Sequence, residues 1–183
     1  GTTISAGTLS IGSDTNIGSG TNTIGNKGTL LLSGNGTYTN DWTLSGAGSA
    51  IATDNNNTLS GVLSGNGGLT KTGAGTLTLT GNNTYAGGTA INAGTLKGNI
   101  ASGTDLSIAA SATYDGDNKA RSVGGLNGGG KILNTNGLTV QSGDFAGIID
   151  NSNTSLTKTG AGTLTLSGTN TYTDMTTVRS GTL

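Results

Sequence analysis

The sequence predicts an all-β solenoid, a right-handed parallel β-helix of about eight coils with ~22 residues in each. Three observations carry that expectation. The composition disfavours helices, apolar residues alternate with polar ones between Gly/Asn corners, and a long stretch of sequence occurs twice.

Of 183 residues, 36 are Gly, 35 Thr, 20 Asn and 18 Ser, with no Pro, Cys or His. All nine acidic residues are Asp, and Gln141 is the single Gln. Gly, Thr, Asn and Asp are poor in helix interiors, and the long helix-forming side chains are scarce. The missing His and Cys exclude imidazole-based triads, thiol nucleophiles, and zinc or iron–sulfur sites built on those residues. Leu, Ile, Val and Phe total only 35, so the core must be thin. Low net charge with regularly spaced aliphatics nevertheless points to a folded repetitive structure. Eight scattered basic residues against nine Asp give no support for nucleic-acid binding. No apolar run approaches the roughly 18 residues that cross a bilayer. With neither an initiator Met nor a signal peptide, the sequence reads as an internal fragment.

The strand signals come in order. Leu9 and Ile11, Leu30 and Leu32, Thr76–Thr80, Leu106 and Ile108, and Thr163–Ser167 all show period two, the mark of a strand with one buried face. Gly34-Asn35-Gly36, Gly81-Asn82-Asn83 and Gly168-Thr169-Asn170 close such strands with residues that tolerate sharp corners. Gly-Thr-Leu begins at Gly7, Gly28, Gly75, Gly94, Gly162 and Gly181. The successive intervals between these starts read as one, two, one, three and one coils. Residues 69–96 and 156–183 match at 19 of 28 positions with an offset of 87. Short strands of this kind bury their apolar face only by stacking at ~4.8 Å, which makes Leu and Ile ladders. An antiparallel sandwich is the runner-up, but it would not need so long a repeat.

The stretch from Leu69, Lys71, Gly73 and Gly75 through Leu77, Leu79, Gly81, Asn83 and Tyr85 resembles the passenger-associated transport repeat of autotransporters. Its second copy runs through Leu156, Lys158, Gly160, Gly162, Leu164, Leu166, Gly168, Asn170 and Tyr172. A degenerate copy covers 28–44 and departs at Trp42, where the full copies have Thr89 and Thr176. A partial copy covers 1–9. The resemblance implies that 1–183 is a single β-helical segment of a larger passenger. It further implies export through an outer-membrane barrel in the parent chain, display on the surface of a Gram-negative cell, and a repeat that assists secretion and folding. The expected role is a non-enzymatic stalk or adhesive surface. Its partners would be like passengers on neighbouring cells, host glycan or matrix. Lys97 to Asp144 lacks the motif and is the expected place for a special loop.

Candidate sites are few, and no cofactor is expected. Asp115 and Asp117 have the density of a calcium turn but lack the rest of a calcium loop, so a solvated turn is the favoured reading. Asp54–Asn57 reads as an exposed loop. The other Asp residues are scattered, which weighs against the alternative of a polysaccharide-acting β-helix enzyme. Thr-x-Thr pairs at Thr76/Thr78 and Thr163/Thr165 suggest an ice-binding solenoid, but they recur only at the long offset between the two full copies. Tyr38, Tyr85 and Tyr172 hold equivalent positions and are assigned to corner packing, Phe145 to the core. Trp42, favoured as structural, is the aromatic best placed for a contact. Leu77, Leu79, Leu164 and Leu166 are expected to carry the coil stacking.

Overall fold

The structure, a computed structural model, describes residues 1–150 and 153–183. Its strands form one 18-stranded sheet in which every pairing is parallel. Thr3 pairs with Thr23, Thr89 with Leu106 and Gly143 with Leu164, so each strand stacks on its equivalent one coil away. The chain is therefore a parallel β-solenoid, as its composition and repeat predict.

Each coil has three faces. The first carries Ala50–Ala52, Leu69–Thr72, Thr89–Ile91, Leu106–Ile108 and Leu164–Leu166. The second carries Thr37–Tyr38, Asn57–Leu59, Thr76–Leu79, Thr95–Gly98 and Ile148–Asp150. Trp42–Leu44, Leu63–Ser64, Leu156–Lys158 and Thr176–Val178 lie on the third. One inward ladder on the first face runs Leu9, Leu30, Ile51, Lys71, Ile91, Ile108, Gly128, Phe145 and Leu166. Nine rungs make a rod about 40 Å long.

The coils thus number about nine, in rough agreement with the expected eight, and each is somewhat shorter than ~22 residues. The physical reason is that Gly-Thr-Leu does not keep to one face. It opens first-face strands at Gly7, Gly28, Gly162 and Gly181, but second-face strands at Gly75 and Gly94. The long intervals from Gly28 to Gly75 and from Gly94 to Gly162 therefore contain extra thirds of a coil.

Two further expectations change. The segment from Lys97 to Asp144 is no special loop. Its strands Thr113–Gly128 and Lys131–Phe145 run through all three faces and are the longest in the chain. Leu166 is only half-buried, whereas Leu77, Leu79 and Leu164 are buried. The coil beneath contributes Phe145 to the Leu166 rung, and no described strand pairs with its other side.

Candidate functional site

The repeat's chemistry lies inside the solenoid. In Leu69-Thr-Lys-Thr72 the alternation that turns Leu69 inward turns Lys71 inward too, and both are buried. Lys71 occupies the rung between Ile51 and Ile91 and has no exposed surface. Its ammonium donates to the carbonyls of Thr72 at 2.8 Å, Gly73 at 2.8 Å and Ala93 at 3.2 Å. Three acceptors match the three protons of an ammonium, which is what a buried lysine needs. Burial pushes its pKa down to about 8, and the Asp54 carboxylate acts in the opposite direction.

Lys158 repeats this geometry. It is fully buried between Val140 and Val178 and donates to Thr159 at 2.5 Å, Gly160 at 2.9 Å and Ser180 at 3.0 Å. Each corner is made by a glycine in the left-handed region, Gly73 at φ 77° and Gly160 at φ 72°. The third acceptor precedes another such glycine, Gly94 at φ 65° or Gly181 at φ 74°. A Cβ on Gly181 would lie 2.7 Å from Lys158 Nζ.

Asparagines and tyrosines complete the repeat. Asn83 Oδ1 accepts the N–H of Leu63 at 2.8 Å, and Asn83 Nδ2 donates to the Asn99 carbonyl at 2.6 Å. Asn170 accepts from Ile149 in the same way at 2.9 Å. The Tyr85 hydroxyl lies 2.7 Å from Thr89 Oγ1, and that of Tyr172 lies 3.0 Å from Thr176 Oγ1. Burial pushes the Tyr85 phenol up. In the degenerate copy Trp42 takes the place of that threonine. Tyr38 instead donates to the Ile11 carbonyl at 3.3 Å.

Other candidates fall in different places. Trp42 has 1% exposure on the third-face ladder between Asn22 and Leu63, so its indole is core and offers no contact surface. Asp54–Asn57 is not wholly an exposed loop. Asn57 points inward, accepts from Gly36 and donates to Leu32 and Thr53, because its position falls on a second-face strand. The Asp115 side chain accepts the Asp117 N–H at 2.9 Å, and Asp117 faces Lys97 at 3.1 Å and Lys119 at 3.9 Å. The carboxylates thus sit among ammonium groups. Phe145 is core.

Outside, the third face presents two rows of hydroxyls in register. One runs Thr3, Thr23, Thr43 and Ser64; the other runs Ser122, Thr139, Thr157 and Thr177. A polar hollow of about 340 Å³ beside the first row is lined by Ser19, Thr21, Asn40, Asp41, Thr43 and Ser64.

Sequence reasoning places Lys71 and Lys158 in the motif but gives them no role. The signal is present: each lysine has the parity of the inward leucine two positions before it.

The family model for the passenger-associated-transport-repeat matches residues 1–11, 69–97 and 156–183. No curated protein and no solved structure matches the chain. Such repeats are in general structural, and proteins that contain them are in general secreted or displayed at the cell surface. Over those three segments the chain is similar to passenger-associated transport repeats, and two of the segments carry the lysine-filled corners of the parallel β-solenoid.

Proposed function

We propose that this chain is a non-enzymatic segment of a Gram-negative autotransporter passenger, serving as stalk and adhesive surface and assisting its own secretion and folding. The single observation that carries the reading is the match of three segments to the passenger repeat on a continuous parallel solenoid. Each coil is templated by hydrogen bonds to the one before it, so coils added outside the cell would draw the chain outward and resist its return. An outer-membrane barrel in the parent chain would tether the rod.

For adhesion, the hydroxyl rows on the third face are the best-suited surface. Every side chain in them carries a hydroxyl and none is charged, which suits hydrogen bonding to a like face or to the hydroxyls of a host glycan or matrix.

Display of the chain on cells through a fused barrel tests both halves. Displayed cells are expected to aggregate or to bind glycan, and Thr139→Lys with Thr157→Lys is expected to reduce this without lowering display. Equal clumping of cells bearing the barrel alone would refute adhesion. Equal display of a scrambled-repeat variant would refute assisted secretion. Glycan cleavage by the purified chain would instead restore the enzyme reading.

A further inference from the structure

The two complete repeats are nearly the same sequence, yet they do not occupy the same faces. Leu69–Thr72 lies on the first face and Thr76–Leu79 on the second. In the other copy Leu156–Lys158 lies on the third face and Leu164–Leu166 on the first. The strands beneath differ accordingly. Ile51 stacks under Lys71, and Val140 under Lys158. A coil whose geometry came only from its neighbours would not reproduce one corner on two unlike supports.

The ammonium contacts do reproduce it. In both copies the acceptors are the residues one, two and 22 positions after the lysine. All of them belong to the repeat itself. The repeat therefore spans one whole coil plus the next corner, and the lysine ties its head to its own tail. The degenerate copy provides an internal comparison. Just upstream of it, Ile24 precedes Gly28 by the same spacing at which Lys71 precedes Gly75; it is buried on the third face, and the following Gly25-Asn26 has no residue in the left-handed region. At these three corners the lysine and the left-handed glycine two positions after it are either both present or both absent.

We infer that Lys71 and Lys158 are internal clamps, positioning residues that close a coil from within and so allow one repeat to stack on any face. The clamp closes the step from Leu69 to Thr89 and from Thr76 to Thr95 in one copy. Leu156 to Thr176 and Thr163 to Thr182 are the same steps in the other. The inference does not depend on export or adhesion, and a failed display assay would leave it standing.

Hydrogen exchange on the whole folded chain tests it. Lys71→Met keeps an unbranched apolar side chain in the slot and removes the ammonium. It is expected to raise exchange of the amides in 72–97 about tenfold or more while 159–183 keeps its native rates, and Lys158→Met is expected to do the reverse. Unchanged exchange, or faster exchange spread evenly over 50–115, overturns the clamp, since ordinary loss of core packing would spread that way. Should the methionine variants fail to fold, transplantation decides. I24K alone is expected to unfold its coil, whereas I24K with N26G and A47G supplies both corner glycines, leaves Gly25 in its close contact with Ser5, and is expected to fold. If the two transplants behave alike, the inference fails.

Discussion

A charged ammonium at zero exposure is costly, and the three carbonyls around Lys71 are what make it tolerable. The cost is visible in its proton affinity, which burial lowers to about 8 against an ordinary value of 10.5. The folded state thus releases this proton before the unfolded state does. Between pH 8 and about 10 the unfolded chain binds more protons at this site, so stability rises as pH rises through that window. Above it the trend reverses. Burial raises the phenols of Tyr85 and Tyr114, and the stability they contribute is lost once unfolded tyrosines ionise near pH 10. Urea titrations at pH 7.5, 8.5 and 9.5 are expected to show a rising midpoint in the native chain and a flatter series in Lys71→Met. A native midpoint that falls across that range would contradict this account.

At the scale of corners and strands, the same motif position can differ in cost with what lies beneath it. Gly7 and Gly94 are equivalent in the repeat and both adopt positive φ, 74° and 65°. A Cβ on Gly7 meets nothing within 4 Å, whereas on Gly94 it would lie 2.4 Å from the Gly75 carbonyl oxygen. Gly7→Ala is expected to cost about 1–2 kcal/mol, the left-handed strain alone. Gly94→Ala should cost more, because the corner of the coil below would have to move. Equal losses in denaturant unfolding would show that stacking contact adds nothing. Asn83→Ala strands the buried Leu63 N–H and should cost about 1–3 kcal/mol. Its exposed neighbour in Asn82→Ala should cost little, and the pair of melts checks this. These elements also show how far the sequence can be read. Alternation at Thr76-Leu77-Thr78-Leu79 predicts the strand and its buried face correctly, and Gly81-Asn82-Asn83 predicts the corner. Alternation alone cannot say which of three faces a strand occupies, because all three bury every second residue. The coil count of about eight agrees with the nine observed only roughly for that reason. Lys71 and Asn57 escape the sequence for another: polarity suggests exposure, and only the carbonyls and hydroxyl around them show how burial is satisfied.

For the rod as a whole, stability comes from ladders of Leu, Ile and Val along the axis, not from charge. The three ion pairs found among the described residues, Lys97–Asp117, Lys119–Asp117 and Lys131–Asp150, all lie at the exposed surface. Such pairs contribute little and are screened by salt. Raising NaCl from about 0.05 to 1 M is therefore expected to leave the urea midpoint nearly unchanged. A large drop would mean that surface pairs hold the coils together.

The displacement of the repeats around the axis bears on how such a rod can lengthen. Ile4, Ile91 and Val178 hold one repeat position and are equally spaced along the chain. They lie on the third, the first and again the third face. The first interval is four coils and one face, the second four coils and two faces. Copying a single interval in the gene would extend the rod and turn everything beyond the insertion by one or two faces. Copying both together adds nine complete coils and leaves every outward row in line. In this lineage of sequence the unit of duplication that preserves the surface is the double interval from Ile4 to Val178, twice the unit that the eye finds in the letters.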